Sequence, residues 1–256
     1  MAMQFMSDNA AAVHPAVWDA LRAADAPQPP YDGDRLSLSL DEAFSALFER
    51  PCAVLWVASG TAANCLALAT MVPPHGGVIC HREAHIETDE CGAPGFYTHG
   101  AKLILAEGEG AKLTPASIDA VVGAIRQDVH QVQPQAISVT QASEYGRVYR
   151  PTEMGEIAAT AARYGLKLHV DGARFANAVA FLGCTPWEAC QGAAALSSNL
   201  VACREVRGLR RKDQPRKREC AAPSRSSLHT EQSGPERTGR GGQKHQSQGE
   251  GTCQYV

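Results

Sequence analysis

Short apolar runs alternate with helical patterns along most of the chain. AVLWVA at 53–58 reads as a buried strand, followed by Ser59-Gly60-Thr61-Ala62-Ala63-Asn64 and the helical stretch CLALATMV. GVIC (77–80), KLILA (102–106), AISVT (136–140) and LKLHV (166–170) are further strands, each short and bounded by turn residues. Between them lie helices. Thr114 and Pro115 supply an N-cap and a first-turn proline, and Ile118, Val121, Val122 and Ile125 follow on one face. Thr152 is the expected cap of the next helix, EMGEIAATAARY, which stops at Gly165. Strands alternating with helices predict an α/β fold with a mainly parallel sheet.

The pattern fails near residue 197. From 200 to 256 large apolar residues are sparse, and stretches such as PERTGRGGQKHQSQGEG show no helix or strand period. That composition does not offset the entropy of ordering the chain, so 200–256 is expected to be a disordered tail and 1–199 a single domain. Charge divides at the same place. Residues 1–199 carry 12 Lys and Arg against 21 Asp and Glu, while residues 200–256 carry 12 against 6. A basic tail on an acidic domain is the implied organisation. It lacks the interleaved aromatic residues that would stack on bases, so nucleic acid is not an expected partner.

The nine cysteines form no C-x-x-C pair, which suggests neither a disulfide framework nor a zinc site and favours a reducing compartment. The N-terminal stretch lacks a basic region followed by an apolar core, and nowhere do about 18 apolar residues run together. A soluble cytoplasmic protein with no membrane contact and no metal site is expected.

In open α/β sheets, ligands bind beyond the carboxyl ends of the strands. Ser59-Gly60-Thr61 joins a strand to a helix there, where backbone N–H groups and two hydroxyls could cradle a phosphate. An ordinary N-cap with a glycine turn would read the same way. In LHVDGARF, Asp171 ends a strand beside a small-residue turn and Arg174. A carboxylate so placed can hold a protonated ring nitrogen, or simply cap a helix or pair with Arg174. Arg174 suits bidentate carboxylate binding or a surface ion pair. His85, just after GVIC, could stack on a planar cofactor and act as acid or base, or be merely solvated like its neighbours His81 and His99. The ordered set of cradle, histidine and Asp-x-x-Arg, each following a strand, is more specific than any one part.

SDNAAAVHPAV, SGTAANCLAL, HREAHIETDECGAPGF, SVTQASEYGRVY and LHVDGARFANA together resemble the low-specificity L-threonine aldolases, pyridoxal-phosphate enzymes of fold type I. The likeness covers about residues 3–196. It implies that Gly60 and Thr61, with Ser59 close by, hold the phosphate of pyridoxal 5'-phosphate. It implies that His85 stacks on the pyridine ring and is the base or positions it, that Asp171 pairs with the pyridinium nitrogen, and that Ser7 and Arg174 hold the substrate carboxylate. His130 is a looser candidate for a hydroxyl contact, with an exposed loop histidine as the plainer reading. The implied reaction is retro-aldol cleavage of L-threonine or L-allo-threonine to glycine and acetaldehyde, in a homodimer or homotetramer. Another fold type I lyase, catalysing β-elimination, and a nonenzymatic protein with a basic interaction tail are the alternatives.

The chain departs from that family at one point. The family's Schiff-base lysine is expected near residue 202, where Ala202 and Cys203 stand, and no lysine occurs between Lys167 and Lys212. Resemblance, apolar content and charge sign all change just after Leu196 and Ser197, as a shift of reading frame would produce. Such a chain is expected to bind the cofactor without a covalent link and to be impaired.

Overall fold

The alternation of strands and helices closes into one seven-stranded sheet with helices on both faces. A computed structural model of the chain describes residues 12–198 and 201–205, all within a unit spanning Met1–Arg210. The strands are β1 (Cys52–Trp56), β2 (Gly76–His81), β3 (Lys102–Ala106), β4 (Gln133–Thr140), β5 (Lys167–Asp171), β6 (Ala195–Ser198) and β7 (Val201–Glu205). The helices are α1 (Pro15–Ala24), α2 (Arg35–Leu47), α3 (Gly60–Ala69), α4 (His85–Thr88), α5 (Ala93–Tyr97), α6 (Pro115–Ala124), α7 (Pro151–Arg163), α8 (Phe175–Leu182) and α9 (Pro186–Ala189).

The strand order is β1-β7-β6-β5-β4-β2-β3. From β3 to β6 every pairing is parallel, and β7 runs antiparallel to both β6 and β1. The sheet is therefore mainly parallel, as the alternation requires. Inner strand β2 is buried along its whole length, which is why GVIC reads as a continuous apolar run.

Two apolar clusters lie on the sheet. Ile118 of α6 and Met154, Ile157 and Ala161 of α7 belong to the cluster of Ile137, Val139, Leu168 and Val170. Ala67 and Leu68 of α3 belong to a second cluster with Val78, Cys80, Ala136 and Ala195. Each large side chain so buried contributes about 1.5–3 kcal/mol. Period-two alternation assigns Leu168 and Val170 to one face, and His169 and Asp171 to the other.

Thr114 caps α6 as expected, its Oγ1 accepting from Ser117 N–H at 3.1 Å while Ser117 Oγ accepts from Thr114 N–H at 2.9 Å. Helix α7 differs from expectation. It begins at Pro151, with Arg150 as N-cap, so Thr152 lies inside the first turn. The fixed φ of proline suits the first helical position, and Glu153 reaches back to accept from Arg150 N–H at 2.7 Å.

The sheet also runs past residue 199, the expected end of the domain. Residues 201–205 form β7, paired Ala195↔Arg204 to β6 and Cys52↔Glu205 to β1. Composition along one segment cannot show hydrogen-bond partners that two distant strands supply. The rest of the expected tail, 206–256, and Ser7 lie outside the described residues.

Candidate active site

The carboxyl ends of β4, β5 and β6 set out a grid of polar side chains. Register places Thr140, Asp171 and Ser197 in one row across the sheet edge, and Ser138, His169 and Ala195 in the row behind. Helix α3 covers this face and brings in Asn64, buried among small apolar residues.

Asn64 Nδ2 donates to Asp171 Oδ2 at 2.9 Å and to Glu90 Oε1 at 2.7 Å. Asn64 Oδ1 accepts from the hydroxyl of Ser197. The orientation of this amide is forced, because exchanging its oxygen and nitrogen would set an acceptor against two carboxylates. The Ser197 proton is thereby committed to Asn64. His169 Nε2, 2.9 Å from Ser197 Oγ, must then donate to that oxygen, and His169 Nδ1 accepts from Ser138 Oγ at 2.9 Å. The ring is therefore neutral. Burial depresses the imidazole to about 4 against the opposing pull of the Asp171 charge. Every hydrogen bond in the chain from Ser138 to Asn64 points toward the two carboxylates.

Asp171 also accepts from Ala173 N–H at 3.0 Å, through Oδ1. Gly172 follows, its N–H donating to Ser197 O at 2.6 Å. A Cβ on Gly172 would stand 2.8 Å from that same oxygen, so the turn requires glycine for its close approach to β6. Arg174 is the N-cap of α8, three residues beyond Asp171, and is half-buried.

His85 opens α4, just past the end of β2. Its backbone N–H donates to Glu144 Oε1 at 3.0 Å, and the same oxygen accepts from Thr140 Oγ1 at 2.8 Å. Its ring Nδ1 lies 2.9 Å from Glu90 Oε1. Glu90 has a fully buried side chain, whereas 44% of the His85 side chain is exposed. Glu90 Oε2 and Glu144 Oε2 are buried and accept no hydrogen bond among the described residues.

Ser59 is the N-cap of α3, its Oγ accepting from Ala62 N–H at 3.2 Å. The N–H groups of Gly60 and Thr61 have no partner among the described residues. Asn64 lies one turn further along the same helix, so one helix carries both the start of the cradle and the centre of the polar chain.

The structure thus brings His85 and Asp171 together through Glu90 and Asn64, with Ser59, Gly60, Thr61 and Arg174 at the same sheet edge. His130 is not brought there. It stands exposed in the loop before β4, its N–H donating to Asp128 Oδ1 at 2.9 Å, at the end of that strand opposite Thr140. Asn64, Glu90, Glu144, His169 and Ser197 escaped the reading of the sequence. His169 alone carried a signal, since it shares a face with Asp171 by period two. Among the described residues no helix is long and apolar enough to cross a membrane, and no cluster of three metal-ligating side chains occurs.

A mainly parallel sheet covered by helices in this order is the fold of type I pyridoxal-phosphate enzymes. The threonine aldolase of Leishmania major superposes with a TM-score of 0.70 at 24% identity, covering 76% of this chain and 60% of that one. Alanine–glyoxylate aminotransferase from Nostoc sp. gives a TM-score of 0.53 at 18% identity, covering 75% and 50%. At those identities the likeness is one of fold. The chain belongs to the beta-eliminating lyase family, which matches residues 4–199 and is pyridoxal-phosphate-dependent. It is 48% identical over 186 residues to the low specificity L-threonine aldolase of Pseudomonas sp. (strain NCIMB 10558), covering 72% of this chain and 54% of that protein. To the Saccharomyces cerevisiae protein of the same name it is 32% identical over 131 residues, 50% of this chain and 33% of the relative. The chain therefore spans about half the length of the Pseudomonas relative.

Proposed function

We propose that this chain carries the cofactor-gripping part of a pyridoxal-phosphate lyase that cleaves L-threonine or L-allo-threonine to glycine and acetaldehyde. The observation that carries the reading is Asp171, a buried carboxylate at a strand end whose two oxygens accept from Asn64 and from Ala173 N–H. A carboxylate has about four acceptor sites, so two such bonds leave room for a cationic N–H. The chemistry of the donor set fits the cofactor: free N–H groups at the start of α3 suit a dianionic phosphate, and Asp171 suits a ring nitrogen that must stay protonated.

When bound, pyridoxal phosphate supplies an electron sink for the pair released as the Cα–Cβ bond breaks. Gly60 and Thr61, with Ser59, would hold the phosphate through backbone and hydroxyl donors. Asp171 would accept from the ring nitrogen and so favour its charged form. His85 would stack on the ring and take or position the proton of the substrate's β-hydroxyl. Arg174 and Ser7 hold the substrate carboxylate. The working form is a cytoplasmic homo-oligomer.

The described residues contain three lysines, and none suits a covalent link at Asp171. Lys167 begins the strand that Asp171 ends, roughly 13 Å away at strand rise, with its Nζ on Met71 O at 2.9 Å. Lys102 likewise begins β3. Lys112 Nζ is engaged by Val148 O at 2.9 Å and Glu153 Oε1 at 2.7 Å. With no suitable lysine among the described residues, the reading is of a cofactor held noncovalently.

Titration of the purified chain with pyridoxal phosphate, followed by borohydride reduction and mass spectrometry, tests this. Reversible binding that Asp171→Ala weakens at least tenfold, with no pyridoxyl group retained after reduction, is expected. No binding would overturn the reading, and a pyridoxyl group on Lys212 would overturn its noncovalent part. Release of pyruvate and ammonia in place of acetaldehyde would assign β-elimination instead.

A further inference from the structure

We infer that Glu90 is a positioning residue that fixes the tautomer of His85 and so decides which ring nitrogen is free to take a proton; this deepens the proposed function and rests on it. His85 Nδ1 lies 2.9 Å from Glu90 Oε1. The same Oε1 already accepts from Asn64 Nδ2 at 2.7 Å, so it meets the ring as an acceptor: in the neutral ring Nδ1 carries the hydrogen and Nε2 keeps the lone pair. Nε2 has no hydrogen-bond partner among the described residues. A histidine side chain in water prefers the opposite tautomer, with its proton on Nε2. Glu90 inverts that preference, as the carboxylate partner of a metal-bound histidine does.

The acceptor is rigid, which separates this pair from a surface ion pair. The Glu90 side chain is fully buried. Its Oε1 also accepts from Asn64 Nδ2 at 2.7 Å. Asn64 is in turn held by Asp171 Oδ2 at 2.9 Å and by the Ser197 hydroxyl. A single amide thus sets the distance between the carboxylate that orients His85 and the carboxylate that faces the ring nitrogen. Glu144 completes the hold from the other side, accepting from His85 N–H at 3.0 Å. The two glutamates divide the task, one fixing the backbone and the other the ring.

The chain shape that brings Glu90 back to His85 is local. Helix α4 ends after one turn, and Cys91 and Gly92 follow with φ of 51° and 74°. Glu90 stands just past that single turn, five residues beyond His85, where its Oε1 meets the ring.

The test is the side-chain nitrogen spectrum of the histidine-labelled full chain without cofactor, at a pH where His85 is neutral, with His85 assigned by the signal lost in His85→Gln. In the wild type, Nδ1 should be the protonated nitrogen. Glu90→Ala should move the proton to Nε2. Glu90→Gln, whose carbonyl oxygen can accept the same two N–H groups, should restore it to Nδ1. The signals of His169, buried in the same polar chain, report whether each variant is folded. A wild-type His85 protonated at Nε2, an unchanged Glu90→Ala spectrum, or a Glu90→Gln spectrum like that of Glu90→Ala would each overturn the assignment. Should Glu90→Ala also lose the His169 signals, the wild type decides: a slowly exchanging Nδ1 proton on His85 supports it, and absence of that proton overturns it. A chain that fails to bind pyridoxal phosphate yet shows Nδ1 protonated defeats the proposed function and not this assignment.

Discussion

Strand β5 shows two faces built by different chemistry. Leu168 and Val170 join the cluster of Ile118, Met154 and Ile157, where dispersion and burial act without direction. His169 and Asp171, the alternate residues, enter a chain of hydrogen bonds in which every proton has one permitted place. The apolar face tolerates a changed methyl group, since neighbours relax around it. The polar face does not, because losing one donor strands the acceptors beyond it in a medium without water. The stability of this domain and the precision of its site are therefore separable properties, carried on opposite sides of the same five residues.

The comparison breaks most sharply at Asn64. Asn64→Leu keeps the size of the side chain but removes the donor shared by Glu90 and Asp171, leaving both carboxylates buried short of a partner. A loss of about 4 kcal/mol in unfolding free energy is expected, measured by urea denaturation at neutral pH. A loss below about 1 kcal/mol would mean that the polar face does not depend on its central amide.

Acid provides the next test. Folding lowers the His169 value from the ordinary 6.5 to about 4, so as pH falls the unfolded chain takes up this proton first. The stability that neutral His169 contributes is complete above about pH 6.5 and drains away as pH falls toward 4, by up to roughly 3 kcal/mol. Urea midpoints between pH 7 and pH 4 should therefore fall more steeply for the wild type than for His169→Gln, in which that group no longer titrates. Parallel slopes would count against a buried neutral ring.

The smallest effect sharpens the contrast from the apolar side. Ile157→Val on α7 removes one methylene from a side chain that is 1% exposed and should cost about 1 kcal/mol. Pyridoxal phosphate titration and the histidine nitrogen spectrum should be unchanged. A shift in either would show that the two faces are coupled through the sheet.

Legibility in the sequence follows the same division. The parallel strands β2 to β5 were visible because buried strands concentrate apolar residues between turns, and α6 because Thr114 and Pro115 mark its start. Asp171 was visible because it ends an alternating run beside a small-residue turn. His169 was disguised by that alternation, since a polar residue between Leu168 and Val170 looks solvent-facing until α3 is known to cover it. Asn64 was hidden in a helix of small apolar residues, and Glu90 in the acidic run ETDE, where one carboxylate resembles the next. Strands β6 and β7 gave the weakest signal, being four and five residues long and held by pairing rather than by apolar content.

Strand β1 leads directly into Ser59 and the start of α3, yet among the described strands it pairs with β7 alone. Of the described strands β1 is made first and is among the last to be seated, since its hydrogen-bond partner lies at Val201–Glu205. Closure of so long a loop is slow, and the apolar run AVLWVA stays exposed while it waits. During that interval the growing chain is most in need of a chaperone, and most open to pairing β1 with the wrong neighbour.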